Sequence, residues 1–256
     1  MNDASIILPA GYRLLRLAEI GSTNTEALRL AALGEASGLW VMADAQIGGR
    51  GRSGRVWTSR AGNLHATLLL RRSAPLGIAQ QLSLLAPVAL HDAITTVTGG
   101  IGDMRLKWPN DVLLNGAKLS GILIESSGAG SSTGLVIVLG LGINVSYHPA
   151  GLDQAATNLG QQGHAVSVES MMTALAASMD RWLRVWSEGA GFAAVRAAWL
   201  ERAGPIGETL SVRDGASRIT GRYQGLDQTG ALLLQDDAGE MRRFSNGQVA
   251  LGSQAR

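Results

Sequence analysis

Four short apolar or alternating runs, at residues 104–107, 111–114, 117–126 and 134–145, follow one another in this chain, separated by turn signals such as Pro-Asn-Asp and Asn-Gly. Strands joined by tight turns fold back on their neighbours, whereas a parallel pair needs a crossover of about a dozen residues. The region therefore demands a sheet with substantial antiparallel pairing. Two more strand patterns, LWVMADA at 39–45 and NLHATLLL at 63–70, precede it. Helical stripes surround them. Leu82, Leu85, Ala86, Ala89, Ala93 and Val97 mark a helix over 78–98, with a kink or a start expected at Pro87. Val168, Met171, Leu175, Met179, Trp182 and Trp186 mark one over 167–187, and Phe192, Val195 and Trp199 another over 191–203. Thr23-Asn24-Thr25-Glu26 reads as a capping box opening a further helix, with Thr23 as the cap. The pattern predicts an α+β fold: a mixed, largely antiparallel sheet with flanking helices.

After Gly204-Pro205 the texture changes to short strands divided by Asp-Gly, Gln-Thr-Gly and Ala-Gly turns. We expect a larger domain over 1–204 and a small hairpin-rich β-barrel domain over 205–256, which gains stability by docking on the first. Hydrophobic residues make up 46% and charged residues 16% of the chain, the balance of a packed soluble protein. No signal peptide is visible at the start, and the apolar run at 135–145 is too short to cross a bilayer, so a cytoplasmic location is expected. With no cysteine, disulfides, thiolate metal sites and a cysteine nucleophile are excluded.

Net charge is only +2, yet residues 48–57, GGRGRSGRVW, set Arg50, Arg52 and Arg55 among four glycines. Glycine lets successive N–H groups face one anion, and guanidinium forks match phosphate or carboxylate oxygens in pairs. Ordering about ten residues costs on the order of 10 kcal/mol. Several charge-assisted hydrogen bonds of about 1.5–3 kcal/mol each are needed to offset it, which favours a small, highly charged ligand. On its own the segment equally suits a surface loop that binds nucleic acid through phosphates.

Three further constellations carry polar groups to turns and strand ends. Lys107-Trp108-Pro109-Asn110-Asp111-Val112 is a bend that offers a cation, an amide and a carboxylate, or simply a hairpin corner with a half-buried Trp. In Lys118-Leu119-Ser120-Gly121-Ile122-Leu123-Ile124-Glu125, strand alternation puts Lys118 and Ser120 on the face of Ile122 and Ile124. Lys118 is then either an exposed strand end or a cation reaching into a site. Gly140-Leu141-Gly142-Ile143-Asn144-Val145 ends an apolar strand, either as a bulge or as glycine-made space beside an Asn144 that reads a base edge. His65, His91, His148 and His164 lack metal-site spacing, and neither a nucleophile elbow nor a Walker A sequence occurs.

The order and spacing of these motifs is specific where each alone is weak. Ser22-Thr23-Asn24, Gln46 ahead of GRGRSGRVW, KWPNDV, KLSGILIE, GLGINV and Ala156-Thr157-Asn158-Leu159 together resemble the biotin–protein ligase family from about residue 20 to 160. The hairpin-rich tail resembles that family's SH3-like C-terminal domain. The resemblance implies a class II synthetase-like catalytic domain that joins biotin to ATP, giving biotinyl-5′-AMP, and then acylates a lysine of a biotin carboxyl carrier protein domain.

It also implies roles. Lys118 and Arg52 are the catalytic candidates. Ser22, Thr23, Asn24, Gln46, Gly49, Arg50, Gly51, Arg52, Lys118 and Gly121 fall on the biotin side. Arg50, Arg52, Arg55, Trp57, Lys107, Asn110 and Asn144 fall on the ATP side, and Asp111 in the Mg²⁺ region. About twenty residues precede Ser22, so the expected class is the monofunctional one without an N-terminal DNA-binding domain; neither DNA nor a membrane is an expected partner, and a homodimer through a sheet edge is compatible. Asn246-Gly247-Gln248 stands where relatives frequently carry Gly-Glu. A lipoate ligase of the same superfamily and a Gly/Arg nucleic-acid-binding module are the alternatives.

Overall fold

The computed structural model of the chain describes residues 5–72, 76–128, 135–151, 154–215 and 217–252; the first residue of the expected 134–145 strand lies outside them. In chain order the larger unit runs β1 (Arg13–Ile20), α1 (Thr23–Ala32), β2 (Leu39–Gln46), β3 (Leu64–Arg72), α2 (Leu76–Thr98), β4 (Met104–Lys107), β5 (Asp111–Leu114), β6 (Ala117–Ser127), β7 (Leu135–Ile143), α3 (Val168–Trp186) and α4 (Phe192–Glu201). Its seven strands form one sheet in the order β1-β2-β3-β7-β6-β5-β4. Only β1 and β2 run parallel, with α1 as the crossover that parallel pairing requires; the other pairs are antiparallel. The fold is thus α+β with a mixed, largely antiparallel sheet.

Alternation along the strands divides the core. Trp40, Met42, Leu64, Ala66 and Leu68 face Leu82, Leu85 and Ala89 of α2 and Met171, Leu175 and Met179 of α3 in the main cluster. On the opposite face Val41, Leu69 and Val138 bury Ala27 and Ala31 of α1. Because α1 is one short helix, it covers only part of this face, and the rest of β7, β6 and β5 is left for the site. α2 starts well before Pro87 and continues through it. The local penalty of a proline is overridden by a helix whose Leu84–Leu90 stretch is almost wholly buried. Three helices meet on Asp92 of α2: Arg181 (2.5 Å) and Trp182 Nε1 (2.9 Å) of α3 donate to one oxygen, and Arg202, just past α4, donates twice to the other.

A second sheet follows, from β8 (Thr209–Asp214), β9 (Ser217–Leu226), β10 (Leu232–Gln235), β11 (Met241–Phe244) and β12 (Gln248–Leu251), in the antiparallel order β11-β10-β9-β8-β12. Its Leu210, Val212, Leu232 and Leu234 join the same apolar cluster as α2 to α4. Trp108 Nε1 donates to the Gly230 carbonyl at 3.2 Å, and Arg196 Nε of α4 donates to that of Asp227 at 2.7 Å. The small sheet is thereby held against the bend between β4 and β5.

Candidate active site

Residues that oppose one another across neighbouring strands share a face, so pairing register lays out the floor of the site. One row crosses the sheet as His65, Gly142, Gly121, Asp111 and Lys107, and the next as Thr67, Gly140 and Leu123. The glycines keep the floor free of side chains, and other groups enter the space. A Cβ on Gly142 would lie 2.5 Å from Cε2 of Trp57, and one on Gly140 would lie 2.3 Å from Oδ1 of Asn24. Over this floor lies a cavity of about 420 Å³, walled by the start of α1, the Gly/Arg segment, β4 to β7 and the small sheet.

The start of α1 builds one end. Ser22, not Thr23, is the cap: its Oγ accepts from Thr25 N, and its carbonyl from Glu26 N. Thr23 is one residue inside the helix, so its hydroxyl is available to the site. Gln46 Oε1 accepts from both N (2.9 Å) and Oγ1 (3.1 Å) of Thr23, and its Nε2 donates to Ser59 Oγ. Thr67 Oγ1 lies 2.8 Å from Thr23 Oγ1 and 2.7 Å from Asn24 Oδ1, while Asn24 Nδ2 donates to Glu125 at 2.8 Å. The result is a fixed row of neutral donors and acceptors, suited to a neutral polar ligand head.

The Gly/Arg segment is itself a small hairpin. Trp57 N donates to Gly49 O, Gly51 N to Arg55 O, and Ser53 occupies the left-handed region at φ 56°. Gly49 is buried in the hairpin base, where a Cβ would meet Trp57 O at 2.5 Å. Its three arginines reach different walls. Arg50 pairs with Glu125 at 3.2 Å; Arg52 donates to Asn110 Oδ1 and Gly247 O, both at 3.2 Å; Arg55 donates to Gln248 Oε1. Burial lowers the Arg52 pKa, an effect that Asp111 opposes. Trp57 lies on Gly121 and Gly142, with Lys118 Nζ 5.9 Å from its ring centroid.

At the far side of the floor stand Lys107 and Lys118, the two lysines of the chain. Lys118 does not follow simple alternation. Val112 and Leu113 are opposed by Ser120 and Lys118, so β6 carries an extra residue, Leu119, at a bulge. That slip turns Lys118 away from the face of Ser120 and onto the face of Asp111 and Gly121. Its Nζ reaches Asp111 Oδ1 at 2.6 Å, and Lys107 Nζ reaches Oδ2 at 3.2 Å and Gln154 Oε1 at 3.1 Å. Burial pushes the Asp111 carboxyl upward, but the two lysines outweigh it and hold the group below the usual carboxylate range. Burial lowers the Lys107 pKa, against the pull of Asp111.

Asp111, expected in the Mg²⁺ region, is engaged on both sides. Both oxygens of Asp111 face ammonium groups; among the described residues it is the one carboxylate lining the cavity, and no group of three or more metal-binding side chains converges. A divalent cation there would meet one carboxylate and two like charges, so these residues do not fit a protein-held Mg²⁺.

Of the sequence candidates, Ser22, Thr23, Asn24, Gln46, Arg50, Gly51, Arg52, Arg55, Trp57, Lys107, Asn110, Asp111, Lys118 and Gly121 all line the cavity. Asn144 does not. It is 2% exposed, its Nδ2 donates to Thr157 O at 3.0 Å, and it fastens the 156–159 segment beside β6. Trp57 and Asn24 enter the space over Gly142 and Gly140 in which a base was expected. Sequence reasoning missed Ser211, Arg213 and Arg218, which the small sheet brings to the same cavity, and Glu125 as the partner of Arg50. No local motif announces the first three, since only docking of the second sheet brings them there.

Comparison with known proteins agrees with this architecture. Residues 18–144 match the Biotin/lipoate A/B protein ligase family, and residues 206–252 match the Biotin protein ligase C terminal domain. The chain is 42% identical to the biotin–[acetyl-CoA-carboxylase] ligase of Paracoccus denitrificans, over 87% of this chain and 94% of that one. It is 34% identical to the bifunctional ligase/repressor BirA of Bacillus spizizenii, over 94% of this chain and 75% of the relative. Among solved structures, the biotin protein ligase from Aquifex aeolicus in complex with biotin and ATP superimposes with a TM-score of 0.76 at 26% identity, covering 93% of this chain and 98% of that one. The chain belongs to the biotin–protein ligase family.

Proposed function

We infer that the protein activates biotin with ATP to biotinyl-5′-AMP and passes the biotinyl group to a lysine of a biotin carboxyl carrier protein domain. The observation that carries this reading is the shared cavity: the neutral Thr23–Gln46 box, Lys118 and the three hairpin arginines all wall the same space. Relatives named as biotin ligases, and a similar structure holding biotin and ATP, support it over a lipoate ligase.

In this reading the Thr23–Gln46 box receives the neutral ureido ring. A biotin carboxylate oxygen forms a bond to the α-phosphorus of ATP, and the bond to the β-phosphate oxygen breaks as pyrophosphate departs. Lys118, turned inward by its bulge, stands for the cation that meets the carboxyl and α-phosphate oxygens as charge shifts between them. Such a displacement needs positioning and charge stabilisation and no covalent enzyme intermediate. Arg52 bridges the hairpin to Asn110 and to the small sheet, which supports a role in keeping water from the mixed anhydride until the acceptor amine attacks its carbonyl. Magnesium belongs to this reading as the companion of ATP's phosphates. The reaction consumes ATP, which fits a cytoplasmic protein, and β1, at the edge of the large sheet, offers a strand edge for a homodimer. The division near residue 204 separates the catalytic unit from the small sheet.

Biotin-dependent ATP–pyrophosphate exchange tests the first half-reaction, with lipoate as a control and a reaction without Mg²⁺. Exchange with biotin and Mg²⁺ alone is expected; exchange with lipoate, or none from folded protein, would overturn the reading. Arg52→Ala should release the adenylate faster, and Lys118→Ala should chiefly slow its formation.

A further inference from the structure

The cavity has a cationic end that the sequence motifs do not supply. Arg213 of β8 is directly opposed by Gln248 of β12 on one side and by Arg218 of β9 on the other, so the three form one row across the small sheet. All three line the cavity. Two arginines directly opposite each other on paired strands repel, an arrangement that sheets avoid unless something of opposite charge lies between. Among the described residues no acidic side chain of the cavity supplies it: seven cations line the space against Asp111, which the two lysines already hold. The hairpin leans toward this row as well, through Arg55 to Gln248 and Arg52 to Gly247 O. Arg218 is steadied by its Nε donating to Ser211 Oγ at 3.0 Å.

We propose that Arg213 and Arg218 form the subsite for the two outer phosphates of ATP and for the pyrophosphate that leaves. This rests on the ligase reading and adds to it the residues that receive the leaving group. When the carboxylate oxygen bonds to the α-phosphorus, the electron pair of the breaking bond goes to the bridging oxygen of the departing pyrophosphate. Two guanidinium forks facing that end take up the new charge with paired hydrogen bonds. Both arginines are exposed while lining this cavity, so the row is open to the outer end of a polyphosphate.

Arg213→Ala, Arg218→Ala, the double variant and the two Arg→Lys variants test this in the full chain. The KM for ATP in biotin-dependent pyrophosphate release should rise about tenfold for each alanine. Product inhibition by pyrophosphate should weaken in parallel, and lysine should restore part of each effect. Biotin KM and the affinity for added biotinyl-5′-AMP, which lacks the outer phosphates, should stay at the wild-type value. An unchanged ATP KM and pyrophosphate inhibition in the double variant would overturn the proposal. So would an equal loss of adenylate affinity, which marks a structural defect, or an effect confined to the KM for the carrier domain, which assigns the row to the acceptor. If wild-type protein releases no pyrophosphate with biotin, the ligase reading itself fails, a result distinct from all of these.

Discussion

Adding one methyl group to the floor tests how the hairpin is seated. In Gly142→Ala the new Cβ would stand 2.5 Å from Cε2 and 2.6 Å from Cζ2 and Nε1 of Trp57. Carbon atoms settle about 3.5–4.0 Å apart, so the ring must retreat by roughly 1 Å. It cannot slide sideways over Gly121 unhindered, since Lys118 stands beside it. Overpacking of this kind costs about 1–3 kcal/mol, or roughly 5- to 150-fold in an equilibrium constant. The strain falls on a hairpin outside the apolar core cluster. It should therefore appear as weaker binding of biotinyl-5′-AMP by titration calorimetry, with the melting temperature within about 2 °C of wild type. A double-mutant cycle with Trp57→Ala isolates the cause. With the indole removed, Gly142→Ala should cost less than about 0.5 kcal/mol. The same loss in both backgrounds would refute the idea that Gly142 exists to seat Trp57.

Three other perturbations follow from contacts already described. Asp92→Asn removes the charge on which Arg181, Arg202 and Trp182 converge; a loss of about 2–4 kcal/mol is expected, seen as a fall of roughly 5–12 °C in melting temperature by calorimetry. The Asp92 carboxyl lies well below its ordinary range, because hydrogen bonds from its neighbours outweigh a burial that alone would raise it. Its contribution is thus complete above an unfolded pKa of about 3.9 and is lost as pH falls below that. Acid unfolding of Asp92→Asn should be correspondingly less steep, and an identical acid profile would contradict this. Asp111→Asn leaves two ammonium groups at the floor without their carboxylate, so stability measured in urea should drop by about 3 kcal/mol, and by less if water reaches the partly exposed Lys118. Gly140→Ala drives a methyl into Asn24; affinity for biotin alone should fall about tenfold, while ATP affinity measured without biotin should not change.

Elements whose pattern is local were legible in the sequence. The stripe from Met171 to Trp186 became α3 with all of its apolar face buried, and the turn signals at 108–110 and 115–116 became the β4–β5 and β5–β6 connections. What escaped reading depends on distant partners. β1 alternates poorly because it is an edge strand with Arg13, Arg16 and Glu19 outward, and its identity comes from pairing with β2. β12 has four residues and is a strand only beside β8. At the site, the polar residues near α1 and in the hairpin could be named from motifs, but the direction of Lys118 could not, because one bulged residue reverses it. For Asn144 the motif points to a ligand, while the contact that its amide makes with the 156–159 segment is announced by no local pattern.

The scarcity of lysine has a practical consequence. Both ε-amino groups of the chain stand on the cavity floor in ion pairs with Asp111, while every other Lys/Arg side chain is a guanidinium. Amine-directed reagents do not modify guanidinium groups, so their attack on side chains would be confined to the cavity. Peptide mapping of Lys107 and Lys118 after such labelling is therefore an occupancy gauge: protection of these two positions reports a filled site, with no background from side chains on the exterior.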